Sequence, residues 1–193
     1  MRLREVERGD SFANRALIRF ISMAMRMRLP DAARVAFYHR DFGKPLSAWT
    51  QATMRGPSTW TIGERELMAA LVATWNSSAF CTGAHRAVAA KQIPIATVDA
   101  ALSEFRSAPL SSGLKATLAF LEKMTKHPTE VTPHDARVVL RSGVSREALT
   151  DAIAVASLFN IVARYSDALG FAIPIPQELD RAGDMLLKRG YGG

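Results

Sequence analysis

Cysteine is scarce in this chain of 193 residues, with Cys81 as its single copy. No intrachain disulfide can form, so stability cannot depend on an oxidising compartment. The repeated cysteine and histidine spacing of a zinc finger is absent as well. Acidic side chains are missing from Ser11 to Leu29, where Arg15, Arg19 and Arg26 sit within FANRALIRFISMAMRMRLP. Such a stretch has the composition of a transit peptide or of a surface-seeking amphipathic helix. Glu5, Glu7 and Asp10 spoil the acid-poor look of a transit signal, and the expectation is a helix with its apolar side on the domain and its arginines in water. No apolar run approaches the ~18 residues of a membrane span, and no secretory hydrophobic region follows Met1. The expected location is cytoplasmic, without a membrane partner. Alternating Val, Ile or Thr runs joined by Asn-Gly turns are lacking too, which argues against a sheet. The net charge of +7 invites a nucleic-acid reading, but the basic residues are scattered and no aromatics alternate with arginines, so no nucleic-acid partner is expected.

What is present is mostly helical. With 48% hydrophobic residues, the length suits one well-buried core and is short for two domains. A single domain over 1–193 is therefore expected. Thr61-Ile-Gly-Glu64 is a capping box ahead of Leu67, Ala70, Leu71 and Thr74 at helical spacing, predicting a helix from about 64 to 76. A second helix is expected from Ser78 to about Lys91, before Pro94. Thr132-Pro-His-Asp135 is another capping box, with Arg141-Ser-Gly143 as that helix's stop. Ser145 opens a long apolar helix ending at Leu169-Gly170. Further helices are expected at about 13–28, 31–41, 45–55, 96–106, 113–126 and 177–189, with Gly56-Pro-Ser-Thr-Trp60 the most loop-like stretch. The fold class is all-α.

The chemistry concentrates in NSSAFCTGAHRAVAA, residues 76–90. Cys81 and His85 are four apart and share a helix face. In the first turn of a helix a thiol gains from the dipole and unpaired N–H groups, and His85 can accept its proton. That predicts a thiol pKa below its reference value. Glu66, on the preceding helix, is placed to face His85 and fix its tautomer. The opposite reading is open: free cysteine is often a small buried residue, and the small side chains of AFCTGAHRAVAA equally suit close helix packing. A metal held by Cys81, His85 and Glu66 would keep an open position but lacks a second local ligand pair, and no metal or cofactor is expected. His39, His127 and His134 have no partner spacing and are expected at the surface or in capping turns.

The run GPSTWTIGERELMAALVATWNSSAFCTGAHRAVA resembles the signature of the alkylhydroperoxidase D-like family, also called the carboxymuconolactone decarboxylase superfamily. Redox-active members carry a glutamate, a Cys-x-x-Cys pair beginning twelve residues later, and a histidine four after the second cysteine. Glu66 falls on the glutamate, Ser78 on the first cysteine, Cys81 on the second and His85 on the histidine. The later segment ASLFNIVARYSDALGF is similar to the end of the core in the peroxidase-related branch, with Asn160, Arg164 and Asp167 spaced to share a helix face as a polar seam, a subunit contact or a catalytic group. The resemblance covers about 35–175, leaving an N-terminal helical extension, 1–34, and a C-terminal helix. It implies an alkylhydroperoxidase D-like helical bundle that assembles as a homo-oligomer, a trimer or hexamer.

Two departures bear on function. Ser78 cannot form the family's internal disulfide, and Phe80 stands where some members have a further histidine. The expectation is a thiol-dependent peroxidase acting on hydrogen peroxide or small organic hydroperoxides. Cys81 would be the nucleophile, His85 the base and Glu66 its orienting partner, with an external thiol as reductant. Ser78 would serve as hydrogen-bond donor or helix cap, and Phe80 and Trp60 as an apolar wall. The alternatives are a redox-inactive scaffold and a carboxymuconolactone decarboxylase-like acid–base enzyme.

Overall fold

A computed structural model describes residues 1–38 and 40–191, and for residues 25, 36, 37 and 40 the backbone alone. His39 lies outside the described residues. These residues form eleven α-helices, a 3-10 turn at Pro128–Glu130 and no strand: α1 Arg4–Arg8, α2 Phe12–Met25, α3 Asp31–Tyr38, α4 Arg40–Arg55, α5 Ile62–Trp75, α6 Ala79–Ala89, α7 Ile95–Glu104, α8 Ser112–Lys126, α9 Pro133–Arg141, α10 Arg146–Leu169 and α11 Pro176–Arg189.

The bundle is organised around α5. Its run from Leu67 to Ala73 is almost wholly inaccessible to water, because apolar and small residues follow one another without a polar face, the pattern of a helix surrounded on all sides. Thr61 and Glu64 close the expected capping box at its start. At its end Asn76, Ser77 and Ser78 turn the chain back, with Ser77 in the left-handed region at φ 61°, so that α6 packs antiparallel along α5. Helices α10, α8 and α4 also pack on α5, and α11 packs on α6. Close approach of α11 is set by Gly183, where a Cβ would stand 3.5 Å from the Ala87 carbonyl and 3.0 Å from Lys91 Cε. Lys91 then clamps the pair through Asp180 and Asp184, at 2.6 and 2.8 Å.

Helix α10 is long and apolar enough to cross a membrane by length and composition alone, the one such helix among the described residues. Val155, Ala156, Leu158, Phe159 and Ala163 are buried in the bundle, which accounts for its apolarity as a core helix. Gly170, at φ 64°, ends it as expected.

The boundaries depart from the expectations at two places. Helix α4 begins at Arg40, five residues ahead of the expected start at about 45, and carries Pro45 inside it; the five-residue α1 is too short to show a periodicity. The larger correction concerns α2. Its apolar side does not lie on the bundle: Phe12 is 87% exposed, Met23 74% and Phe20 66%, while Ile18 is the residue turned inward. His127, which caps the end of α8, and His134 are exposed, as expected.

Leu71→Ala should cost ~2–5 kcal/mol in urea unfolding, because Leu71 is fully packed within α5's surroundings and the cavity cannot be refilled.

Candidate active site

The α5–α6 hairpin brings Glu66 and His85 together as expected. Glu66 Oε2 lies 2.7 Å from His85 Nδ1, and the carboxylate has no exposed surface. A buried charge requires partners, and two of the three come from outside the hairpin. Arg55, at the end of α4, places its guanidinium 2.8 Å from Oε1. Tyr191, beyond α11, donates its hydroxyl at 2.9 Å to Oε1 and 3.1 Å to Oε2. The Arg55 guanidinium also stacks over the Tyr191 ring at 4.8 Å, adding a cation–π contact. The Tyr191 backbone is held by its N–H donated to Gln51 at 2.6 Å, and Phe159 sets its ring edge-on to His85 at 4.3 Å.

The electrostatics follow from this packing. Burial alone would raise the Glu66 carboxyl, but the His85 hydrogen bond and the charges of His85 and Arg55 outweigh it and hold the group below its usual value. Burial, reinforced by the Glu66 charge, pushes the Tyr191 phenol well above its ordinary range, so Tyr191 remains a donor. With Glu66 ionised, Nδ1 of His85 carries the shared proton, and a neutral ring leaves Nε2 as its acceptor nitrogen.

Cys81 belongs to a second cluster on the same helix. Its Sγ lies 3.4 Å from Ser166 Oγ, which donates to the Ala163 carbonyl at 2.8 Å. Ser166 is also 3.3 Å from Ser78 Oγ, and Ser78 donates to Asp167 at 2.9 Å. Ser78 is thus the N-cap residue of α6 by position, but its side chain makes no capping bond; the donor role is the one it fills. Phe80 packs beside Cys81 and meets Phe171 edge-on at 5.1 Å. Phe171 opens the segment after α10, where Arg2 donates to the Leu169 and Ala168 carbonyls and Asp31 accepts the Ala172 N–H at 2.8 Å.

Two expectations are corrected here. Cys81 is 1% exposed, and burial pushes its thiol up rather than down; Asp167 acts in the same direction, and the Ser166 and Ser78 hydrogen bonds only partly offset it. The lowered value rested on the first helical turn and on His85, and did not weigh the desolvation of a sulfur with almost no exposed surface. Trp60 is not at the Cys81 cluster: it lies in the main core and donates its indole N–H to the Ala148 carbonyl at 2.7 Å.

The polar seam of α10 is present. Asn160 accepts from Asn76 at 3.0 Å and donates to Thr125 at 3.1 Å, Arg164 donates to the Asn160 carbonyl, and Asp167 receives Ser78. It fastens the α5–α6 turn to α10. Arg55, Tyr191 and Ser166 were not singled out by sequence. Arg55 and Tyr191 lie 11 and 125 residues from Glu66, and no local spacing marks them. Among the described residues no three groups of metal-ligating type converge.

Solved structures share this architecture. An uncharacterized peroxidase-related protein from Silicibacter sp. TM1040 superposes with a TM-score of 0.75 at 21% identity, covering 88% of each chain. A peroxidase-related protein from Ralstonia eutropha JMP134, described as an alkylhydroperoxidase AhpD core, gives 0.72 at 20% identity over 90% of each chain. The chain has the alkylhydroperoxidase D-like fold. The debrominase Bmp8, as a cysteine-to-alanine variant in complex with 2,3,4-tribromopyrrole, gives 0.70 at 16% identity, covering 94% of this chain and 92% of that one. No protein-family model and no curated protein matches the sequence.

The depressed Glu66 value has a signed consequence. Its stabilisation is complete above the ordinary carboxyl value of 4.5 and is lost as pH falls through the lower native value. Glu66→Gln should remove that component of the acid limb in denaturation measured against pH. Tyr191→Phe should cost ~1–3 kcal/mol and move the same limb toward higher pH, because Glu66 loses a donor that favours its ionised form.

Proposed function

We propose that this chain is a single-cysteine, peroxidase-related thiol oxidoreductase that reduces hydrogen peroxide or small organic hydroperoxides. The observation that carries the reading is the buried Glu66–His85 pair, at 2.7 Å, one helical turn from Cys81 in a fold shared with peroxidase-related proteins. Glu66 fixes Nδ1 of His85 as the donor and leaves Nε2 to take a proton. The raised thiol value then has a role: Cys81 rests protonated beneath Phe80 and Phe171 and becomes a thiolate when the site admits substrate and His85 takes its proton.

In the reaction, the Cys81 sulfur attacks the terminal peroxide oxygen and the O–O bond breaks. The leaving alkoxide takes the proton from His85 and departs as alcohol, or as water from hydrogen peroxide. Sulfur is oxidised by two electrons to a sulfenic acid, and the peroxide is reduced by the same two. An external thiol displaces water from the sulfenic acid to give a mixed disulfide, and a second thiol releases Cys81 with formation of the external disulfide. A cytoplasmic setting, where small thiols are kept reduced, suits this cycle. A trimer or hexamer belongs to the same proposal, for which exposed Phe42, Trp49 and Ile161 on α4 and α10 offer apolar surface.

A second reading, acid–base chemistry of the carboxymuconolactone decarboxylase type, is favoured by one observation: His85 is bonded to Glu66, while Cys81 is turned toward Ser166. The two readings separate cleanly. Under the first, stoichiometric peroxide adds one oxygen to Cys81 by mass spectrometry, turnover requires added thiol, Cys81→Ser abolishes it and His85→Asn slows it ~10²–10⁴-fold. His85-dependent turnover of a small carboxylic acid that survives Cys81→Ser would establish the second instead.

Ser78→Cys should restore the two-cysteine turn and give a reversible disulfide with Cys81 that protects it from over-oxidation, measured by thiol counting before and after dithiol.

A further inference from the structure

Helix α2 leaves most of its apolar side uncovered. At helical spacing Phe12, Ala16, Phe20 and Met23 fall on one side, and all four are exposed, whereas Ile18 on the opposite side is 5% exposed and points to the rest of the chain. The helix is held from its flank, where Arg15 donates through Nε alone to the Gly9 carbonyl at 3.1 Å and Ser22 accepts the Leu29 N–H at 3.2 Å. Both ends are finished, with Ser11 capping Asn14 N–H at 3.2 Å and Arg26 stopping the helix in the left-handed region at φ 49°. Its outward apolar face is therefore presented as a preformed surface, without the ordering cost of a segment that folds on contact. Single exposed apolar residues are ordinary; an aligned set with two phenylalanines is not.

The charge around that face identifies what it fits. Residues 1–29 hold seven arginines against three acids, a surplus of four within a net charge of +7. No acid lies on α2, and Arg15 and Arg19 are exposed along the edge beside Phe12. Apposition of two copies through this face would add the same arginines from both, with no carboxylate on either helix to receive them. A nucleic acid would satisfy the arginines and leave the phenylalanines in water. An anionic bilayer satisfies both, since acyl chains take the apolar face and headgroup phosphates take guanidinium groups at its rim.

We propose that α2 docks this protein on an anionic lipid surface, lying in the plane of the interface with Phe12, Phe20 and Met23 inserted and Arg15 and Arg19 on headgroup phosphates. The sequence pointed away from a membrane partner because the apolar side of this helix was assigned to the core. Such docking is peripheral, leaves α10 in the bundle, and places the protein among lipids without relying on the chemistry of Cys81.

The experiment is flotation of the full chain with vesicles of phosphatidylcholine alone and of phosphatidylcholine with an equal share of phosphatidylglycerol, at low and high salt. Binding is expected to the anionic vesicles and to weaken with salt. Phe20→Glu should lower the partition coefficient about tenfold or more with the melting temperature unchanged, since Phe20 contributes little to the fold. Arg15→Gln combined with Arg19→Gln should weaken binding and flatten its salt dependence. The proposal is overturned if wild type does not float with anionic vesicles, or if Phe20→Glu binds as wild type does, which would leave charge alone. It is equally overturned if Phe20→Glu dissolves a lipid-free oligomer in sedimentation, which would give the face to a second copy.

Discussion

A carboxylate without access to water has to be surrounded by donors, and in this protein Glu66 is that carboxylate. Its three partners belong to three different parts of the chain: Arg55 closes α4, His85 sits midway along α6, and Tyr191 follows α11. Each satisfies the charge and in doing so fixes where its own element lies. The apolar contacts of α5 supply the bulk of the favourable burial but are non-directional. The directional bonds to Glu66 set the alignment of α4, α6 and the C-terminal segment, so one buried charge ties together three separate parts of the chain.

How much of this could be read beforehand depended on distance along the chain. Helix α5, the turn after it and α6 were legible because capping residues, periodicity and the Asn-Ser-Ser interruption all act locally, and the Glu66–His85 contact was legible because a hairpin fixes which faces meet. Tyr191 was not, since it reaches Glu66 only after α11 has packed on α6 through Gly183 and the Lys91 clamp. The α2 face was misassigned for a related reason. Amphipathic spacing shows that a helix has two sides and says nothing about which one the rest of the chain will cover.

The direction of the Cys81 shift shows the same competition. A first-turn cysteine beside a histidine invites a lowered value when only neighbours in sequence are weighed. The folded chain adds Phe80, Phe171 and Ser166 around the sulfur and gives His85 a stronger partner in Glu66. Desolvation then outweighs the hydrogen bonds of Ser166 and Ser78 that favour the thiolate. The two clusters on α6 are consequently unlike: one holds a charge fully partnered, the other holds a neutral thiol fully covered.

The sequence separations at Glu66 also order events in time. The contact with His85 spans 19 residues and the contact with Tyr191 spans 125. Closing the short loop is entropically easier, and local contacts tend to precede distant ones as a chain folds. The Glu66–His85 contact is therefore expected in an early hairpin and the Tyr191 contact in a later docking step. Until Tyr191 docks, Glu66 would rely on Arg55 and His85 alone, and opening of α11 would return the carboxylate to that same pair of partners in the native protein.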